Sequence, residues 1–355
     1  MRSEILDGLL GGLDDALFEP FLGKTVVVTG ATGLIGSLVC KALLLADERM
    51  GLGCKVTAVV RSREKADAVL GDYATLGSLN YVIADLMSGE PVENRRADYV
   101  LHAASVTKSK VMVERPVDVI ETSLRGTETM LEFSRAADAR MVYVSSMEVY
   151  GDLPRGVVAD ENELGWLDLS SSRTSYPESK RMCECLCNAY ASQRGVEVCS
   201  ARLAQTFGAG VLSGEGRAFM QFARAAMRGE DVVLKTRGLS EGNYVNSVDC
   251  VTGLLMLLAS GTAGQAYNVA NEESHGTIRE VAQLACDVLG DGRSNVVIDV
   301  DESNSAGYAP DVHLRLSSAK LRALGWVPGV PLADSFRQIG FYINEQGLLW
   351  KGSVF

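Results

Sequence analysis

The chain has 355 residues, enough for two domains or for one large α/β domain with a lobe attached. Apolar residues make up 47% and charged residues 22% of it, which excludes an intrinsically disordered chain. The net charge is −11, which argues against a nucleic-acid-binding surface, so an anionic ligand must rely on a few placed Arg or Lys residues and on helix N-termini.

The first 22 residues carry acidic side chains throughout and predict a short amphipathic helix packed on the main body. They lack the apolar core and the cleavage site of a signal peptide. No stretch of the sequence approaches the ~20 apolar residues that a membrane-spanning helix needs. We therefore expect a cytoplasmic protein that does not associate with a membrane.

Apolar runs recur along the first 270 residues without alternating with polar residues, which is typical of strands buried on both faces of a parallel sheet. The predicted strands lie at 25–30, 54–60, 80–86, 98–104, 140–146, 196–203 and 266–270. Helical patterns fall between them, notably at 34–46, 116–136 and 178–194. This alternation predicts an α/β fold with a Rossmann-type, doubly wound parallel sheet.

A glycine-rich motif follows the first predicted strand and opens the first long helix. Glycines at this point let the backbone turn tightly and approach a pyrophosphate, which the helix N-terminus also attracts. We predict a bound NAD or NADP; a tight turn without a ligand is the alternative. The motif residues predicted to contact the cofactor are Gly30, Thr32, Gly33, Leu34, Ile35 and Gly36.

The end of the second strand bears on the choice of cofactor. An acidic residue there would hold the ribose 2′-hydroxyl of NAD, but the sequence has Arg61 and Arg63. Because guanidinium groups suit a 2′-phosphate, they favour NADP slightly over NAD. The alternative is two solvated arginines at the start of a helix. Asp85, after the third strand, is placed either to meet the adenine or to cap a loop.

A second group of residues predicts redox chemistry. Ser146 ends the predicted strand 140–146, and Tyr176 and Lys180 are spaced i, i+4, which places them on one helical face. A tyrosine has an ordinary pKa near 10, so it acts as a base near neutrality only if a cation stabilises its phenolate. Lys180 would supply that charge and hold the nicotinamide ribose, while Ser146 would hydrogen-bond the substrate oxygen being oxidised.

With these motifs the chain resembles the extended short-chain dehydrogenase/reductases, in the branch of nucleotide-sugar epimerases, dehydratases and decarboxylases. The resemblance runs from about Lys24 to beyond Trp326 and includes TGATGLIG (29–36), HAAS (102–105), SSMEVYG (145–151) and YPESK (176–180). It implies that hydride leaves carbon 4 of the sugar, giving a 4-keto intermediate, and then returns. It adds Leu86, Ala103, Ala104 and Ser105 as cofactor contacts, and Gln205 and Arg217 as contacts to a nucleotide-diphosphate sugar.

Position 148 bears on which reaction the resemblance implies. Glu148 matches the glutamate that removes the carbon 5 proton in sugar 4,6-dehydratases, and also a glutamate of UDP-glucuronate decarboxylases. Met147 stands where those dehydratases have an acidic aspartate, and a thioether donates no proton. Residues 171–184 look more like the decarboxylase pattern R-x-x-Y-x-E-x-K-R. Decarboxylation is therefore favoured over epimerisation and an unusual dehydration; a surface or supporting role for Glu148 is the alternative.

The resemblance also organises the chain. Residues 1–22 form an N-terminal extension, residues 23–210 an NAD(P)-binding domain to which 241–270 return, and residues 211–240 and 271–355 a smaller C-terminal substrate-binding lobe. A homodimer is expected to form through helices at about 113–136 and 178–194.

Other interpretations of the sequence concern its cysteines, its histidines and its overall role. Cys183, Cys185 and Cys187 look like a metal cluster, but helix positions i and i+2 point about 200° apart, so we predict no metal site. His102 is expected to pack near the cofactor rather than to catalyse. The functional alternatives are an NADP-dependent reductase of a keto-sugar or other carbonyl, which Arg61 would suit, and a non-catalytic nucleotide-binding sensor or scaffold.

Overall fold

The computed structural model of the chain describes residues 2–88, 92, 96–300 and 311–349. Its strands are β1 (Thr25–Thr29), β2 (Lys55–Val60), β3 (Ser78–Ile83), β4 (Tyr99–His102), β5 (Arg140–Ser146), β6 (Val158–Ala159), β7 (Val198–Leu203), β8 (Gln205–Phe207), β9 (Val232–Leu234), β10 (Glu241–Asn246), β11 (Ala266–Val269), β12 (Asn271–Thr277), β13 (Val296–Ile298) and β14 (Arg315–Leu316). Its α-helices are α1 (Glu4–Gly11), α2 (Leu34–Met50), α3 (Arg63–Leu70), α4 (Ser109–Glu114), α5 (Pro116–Ala137), α6 (Ser175–Arg194), α7 (Ala218–Arg228), α8 (Ser247–Ser260), α9 (Ile278–Leu289), α10 (Ala319–Arg322) and α11 (Leu332–Glu345).

Seven parallel strands form the main sheet in the order β11-β7-β5-β4-β1-β2-β3. The predicted Rossmann-type doubly wound sheet is therefore confirmed. Strand order reverses between β1 and β4, because the chain runs outward from β1 to β3 and then crosses back. Ligands of such sheets bind at the carboxyl ends of the strands beside this reversal.

Apolar residues on both faces of the sheet explain why its strands read as continuous apolar runs. Val26 and Val28 pack in the cluster that includes Leu43 of α2, whereas Val27 packs on the other face with Met130 of α5. Successive side chains of a strand point to opposite faces, so both faces must be apolar when helices cover both.

Two predicted boundaries differ from the structure for local reasons. The strand predicted at 80–86 ends at Ile83, because Asp85 closes a turn in which its carboxylate accepts a hydrogen bond from the amide of Met87 (3.0 Å). The helix expected from residue 113 is two helices, and Pro116 begins the second one, where its missing N–H costs nothing.

The shorter strands of the described residues form three smaller sheets. β8, β10 and β12 form a three-stranded sheet, β9 pairs with β13, and β6 pairs with β14. Within residues 241–270, β10 therefore belongs with β8 and β12, while β11 extends the main sheet beside β7. The domain division and the homodimer stay predictions.

The helix predicted in the first 22 residues is α1. Ser3 caps it by accepting a hydrogen bond from the amide of Leu6 (3.0 Å), and Leu6 and Leu10 are buried. Glu345, at the end of α11, accepts hydrogen bonds from the Ser3 hydroxyl and from the amide of Ile5. Among the described helices, none is both long and apolar enough to cross a bilayer.

Candidate active site

The glycine turn lies between the ends of β1 and β4. Gly30 has a φ of +65°, and a Cβ at this position would lie 2.7 Å from the carbonyl carbon of Ala103. A Cβ on Gly36 would lie 2.8 Å from the carbonyl carbon of Gly30. Only glycine allows these backbones to approach so closely, so the turn stays open for a ligand to lie against it.

Two features of this crevice fit a dinucleotide. Gly33 precedes α2 and has no side chain to cap the helix, so N–H groups of the first turn can bind phosphate. The hydroxyl of Ser105 is buried and has no hydrogen-bond partner among the described residues. Such a group marks a place where a ligand would complete the bonding. Thr32, Leu34 and Ile35 are half-buried beside the turn.

His102 connects the strands beneath the crevice. Its Nδ1 lies 2.7 Å from the Thr29 hydroxyl, which also accepts a hydrogen bond from the amide of Ala104 (3.1 Å). Its Nε2 lies 3.4 Å from the Thr127 hydroxyl on α5. Burial, and then the charge of Lys180, lower the pKa of His102 to about 3, so the ring is neutral. His102 thus packs beneath the crevice as a neutral ring, and its expected place beside the cofactor stays a prediction.

The structure brings Ser146, Tyr176 and Lys180 together at the carboxyl end of β5. Ser146 lies close enough to the Tyr176 phenol to lower its pKa, and its hydroxyl accepts a hydrogen bond from the amide of Glu148 (3.2 Å). Burial and the Glu148 carboxylate raise the pKa of Tyr176 to about 12, while Ser146 and nearby guanidinium groups lower it. The phenol is therefore protonated near neutral pH in the absence of ligands.

Lys180 places its ammonium group beside this phenol. Its Nζ lies 5.8 Å from the centre of the Tyr176 ring and donates a hydrogen bond to the carbonyl of Val144 (2.7 Å). Burial lowers the pKa of Lys180 to about 8, so most of it is charged at pH 7. The i, i+4 spacing thus places a buried cation next to the candidate base.

Arg173 is a site residue that the sequence interpretation did not single out. Its Nη2 donates hydrogen bonds to both carboxylate oxygens of Glu148 (3.0 and 2.7 Å). Its guanidinium carbon lies 5.9 Å from the centre of the Tyr176 ring. Arg173 is the first residue of the R-x-x-Y pattern, so the sequence pointed to it. The pattern alone does not show which residue Arg173 contacts.

A buried polar network supports this end of β5. Glu184 of α6 accepts a hydrogen bond from the Ser145 hydroxyl (2.5 Å) and pairs with Arg202 of β7 (2.8 Å). Arg202 also donates to the Tyr150 hydroxyl (3.1 Å), which in turn donates to Asn268 of β11 (2.7 Å). Isolated polar residues in apolar segments were the only sequence signal for it.

The two arginines after β2 differ in their surroundings. Arg63 donates to the Asp67 carboxylate (2.9 Å), and its guanidinium carbon lies 4.5 Å from the centre of the Tyr81 ring. Arg61 is exposed and forms no ion pair with the described part of the chain. Arg61 is thus the freer of the two to meet a ligand.

Asp85 and Leu86 lie in the turn after β3. The Asp85 carboxylate caps this turn through the amide of Met87, which is the second of the two roles considered for it. The Leu86 carbonyl accepts a hydrogen bond from the Thr129 hydroxyl on α5 (3.1 Å).

The two predicted substrate contacts follow β7 in the chain. Gln205 begins β8 two residues after Leu203, the partner of Ser146 in the main sheet, and is half-buried. Arg217 donates to the Thr206 carbonyl (3.2 Å) and pairs with Glu215 (2.7 Å). Because its charge lowers the pKa of Tyr176, Arg217 lies within electrostatic reach of the candidate base.

The three clustered cysteines lie on different sides of α6. Cys183 and Cys187 are buried, and Cys185 is exposed. Within residues 2–88, 92, 96–300 and 311–349, no group of His, Cys, Asp and Glu has the arrangement of a metal site.

Comparison with known proteins finds one matching family and several similar proteins. The model of the NAD dependent epimerase/dehydratase family matches residues 26–270. UDP-glucuronic acid decarboxylase 1 of Danio rerio is 29% identical over 323 residues, which are 91% of this chain and 73% of that protein. An epimerase structure from Methanothermobacter thermautotrophicus has a TM-score of 0.78 at 21% identity and covers 95% of this chain and 97% of its own. UDP-glucose 4-epimerase of Thermus thermophilus, in complex with NAD, has a TM-score of 0.71 at 25% identity, with 90% and 99% covered.

Replacing Gly30 with Ala is expected to weaken NADH and NADPH binding by roughly tenfold or more, because the new methyl group displaces the backbone at Ala103. Gly51→Ala is the matched control, since Gly51 has a φ of +64° but nothing within 4 Å of its Cβ position. Both variants carry a similar backbone strain, on the order of 1 kcal/mol. Fluorescence titration measures cofactor binding, and thermal unfolding measures the stability of each variant. An equal loss of cofactor binding in the two variants would contradict the role of the turn.

Proposed function

This chain belongs to the NAD dependent epimerase/dehydratase family, and we propose that it is an NAD(P)-dependent enzyme that modifies a nucleotide-diphosphate sugar through transient oxidation at sugar carbon 4. The observation that carries the proposal is the meeting of Ser146, Tyr176 and Lys180 beside the glycine turn at the reversal of strand order. The names of the relatives, a UDP-glucuronic acid decarboxylase and a UDP-glucose 4-epimerase, support the same class of substrate.

In the proposed oxidation, Tyr176 takes the proton of the carbon 4 hydroxyl while Ser146 hydrogen-bonds the same oxygen. A bound nicotinamide would supply the acceptor for the carbon 4 hydride and later its donor. Lys180, whose Nζ lies 5.8 Å from the centre of the Tyr176 ring, would stabilise the phenolate form that takes this proton. The glycine turn, the first turn of α2 and Ser105 would hold the cofactor.

We propose decarboxylation as the net reaction. A keto group at carbon 4 labilises a carboxylate on carbon 5, so carbon dioxide leaves and the electron pair enters the enolate, which a proton at carbon 5 then quenches. Because both oxygens of Glu148 accept hydrogen bonds from Arg173, we assign this proton to a water molecule that Glu148 orients toward carbon 5. Met147 next to it offers no acid for the loss of a hydroxyl group, which disfavours dehydration. Epimerisation at carbon 4 is the second candidate, because it needs only Ser146, Tyr176 and Lys180.

This proposal is tested by incubating the protein with UDP-glucuronate and other nucleotide sugars, together with catalytic NAD or NADP. Mass spectrometry then measures the masses of the products. We expect a product that has lost carbon dioxide.

Tyr176→Phe is expected to reduce turnover by roughly 10³-fold without loss of cofactor binding, because only the phenol hydroxyl is removed.

Other outcomes of that experiment would overturn the proposal. A requirement for stoichiometric NADPH would indicate a reductase, which Arg61 would suit. Nucleotide binding without turnover, and without any effect of Tyr176→Phe, would indicate a sensor or scaffold.

We further propose that Arg61 gives the enzyme a preference for NADP. Arg61 is exposed directly after β2, where a dinucleotide presents its adenine ribose, whereas Arg63 is held by Asp67 and Tyr81. The Thermus thermophilus relative was solved with NAD, so both cofactors have to be compared.

Arg61→Ser is expected to weaken NADPH binding by roughly tenfold and to leave NADH binding nearly unchanged, because only the 2′-phosphate loses its cation. Arg63→Ser is the control and should not alter the ratio of the two dissociation constants. Calorimetric titration of each variant with both cofactors measures this ratio, and an unchanged ratio in Arg61→Ser would show that Arg61 does not select the cofactor.

Arg173 is expected to set the pH range of the oxidation step. The rate of this step rises with pH as the Tyr176 phenol loses its proton. Arg173→Gln removes a charge that lowers the pKa of this phenol and leaves Glu148 unpaired beside it, so the profile should move to higher pH by about one unit. Arg173→Lys keeps the charge and should move it less.

Single-turnover reduction of the cofactor, followed against pH, measures these profiles. Glu148→Gln should move the profile in the opposite direction, because it removes the carboxylate that raises the pKa of Tyr176. Identical profiles for Arg173→Gln and the unaltered enzyme would show that the ion pair does not act on Tyr176.

A further inference from the structure

A cavity of about 230 Å³ lies beside β10 and β12, and nothing in the proposed mechanism uses it. Its walls come from β10, β12, the segment that enters β14, and the chain just before β6. The charged and titratable residues that line it are Arg155, Glu241, His275, His313 and Arg315. Two of the three histidines of the chain are among them.

Glu241 is the acceptor at the centre of this cavity. Its Oε1 lies 2.8 Å from Nδ1 of His313 and 4.0 Å from Nε of Arg155. Its Oε2 lies 3.6 Å from Nε2 of His275, which is buried and has no hydrogen-bond partner among the described residues. One carboxylate therefore faces two imidazoles and a guanidinium group, and it cannot satisfy all of their N–H groups.

The charged groups around the cavity likewise include donors that lack an acidic partner. Arg315 is exposed and forms no ion pair with the described residues, while Arg155 lies at the outer limit of one. Glu280, which lies within electrostatic reach of His275, offsets part of the charge of the two guanidinium groups. The Arg315 guanidinium and Nε2 of His275 still have no acceptor among the described residues. An anion in the cavity would supply one.

We infer that this cavity binds an oxyanion, the phosphate or carboxylate group of a ligand, between Arg155 and Arg315. Guanidinium groups match the oxygens of such anions in pairs of parallel hydrogen bonds. The ring nitrogen of His275 supplies a further donor from the wall. Glu241 acts as a positioning residue, because it hydrogen-bonds the ring of His313 rather than contacting the anion.

The binding of inorganic phosphate to the full chain tests this inference by calorimetry. We expect saturable binding, weakened by roughly tenfold in Arg315→Gln and in Arg155→Gln, because each removes a charged donor. Both side chains are exposed, so the variants should fold. Arg322→Gln is the matched control, since Arg322 is an exposed arginine on α10 that does not line the cavity.

A repeat of the titration with saturating UDP-glucuronate distinguishes the two sources of the oxyanion. Loss of phosphate binding would mean that the sugar nucleotide occupies the cavity, and persistence would mean a separate small anion; either result supports the site. Absence of phosphate binding, or equal binding by the two cavity variants and the unaltered protein, would overturn it. The titration needs no turnover, so its failure is distinct from failure of the proposed reaction.

Discussion

The buried ion pair between Glu184 and Arg202 fixes α6, the helix that bears the candidate base, against β7, the strand that pairs with the serine-bearing β5. The side chains are 12% and 6% exposed, so both charges are largely shielded from solvent. Removing one member of such a pair typically costs about 3–5 kcal/mol, because the other charge stays buried alone. Here each charge has further hydrogen bonds, from Ser145 to Glu184 and from Arg202 to Tyr150. Since Ser145 directly precedes Ser146, the pair helps to position the candidate catalytic serine against α6.

The site itself balances opposing effects on one phenol. Burial and Glu148 favour protonated Tyr176, whereas Ser146 and guanidinium groups favour its phenolate. Lys180 is buried deeply enough that its own pKa falls to about 8, yet it keeps its charge near neutrality. Because the pKa of Tyr176 depends on the charged groups beside it, any ligand that adds or displaces a charge there will change this pKa.

The main sheet and its glycine turn could be predicted from sequence because each depends on local patterns: continuous apolar runs, and glycines between a strand and a helix. Arg173 and the cavity around Glu241 could not. The R-x-x-Y spacing says nothing about Glu148, which is 25 residues earlier in the chain. Arg155, Glu241, His275 and Arg315 meet only because β14 pairs with β6 and β10 pairs with β12. Strands as short as β6 and β14 show no periodic sequence pattern from which they could be predicted.

The contact between the first helix and the last has a consequence for synthesis of the chain. Ser3 and Ile5 meet their partner Glu345 only when 345 residues have been made. Likewise β7, an inner strand, lacks one neighbour until β11 arrives more than 60 residues later. A growing polypeptide on the ribosome must therefore hold an incomplete sheet with an unpaired edge, the state in which nascent chains are most exposed to aggregation and depend most on chaperones.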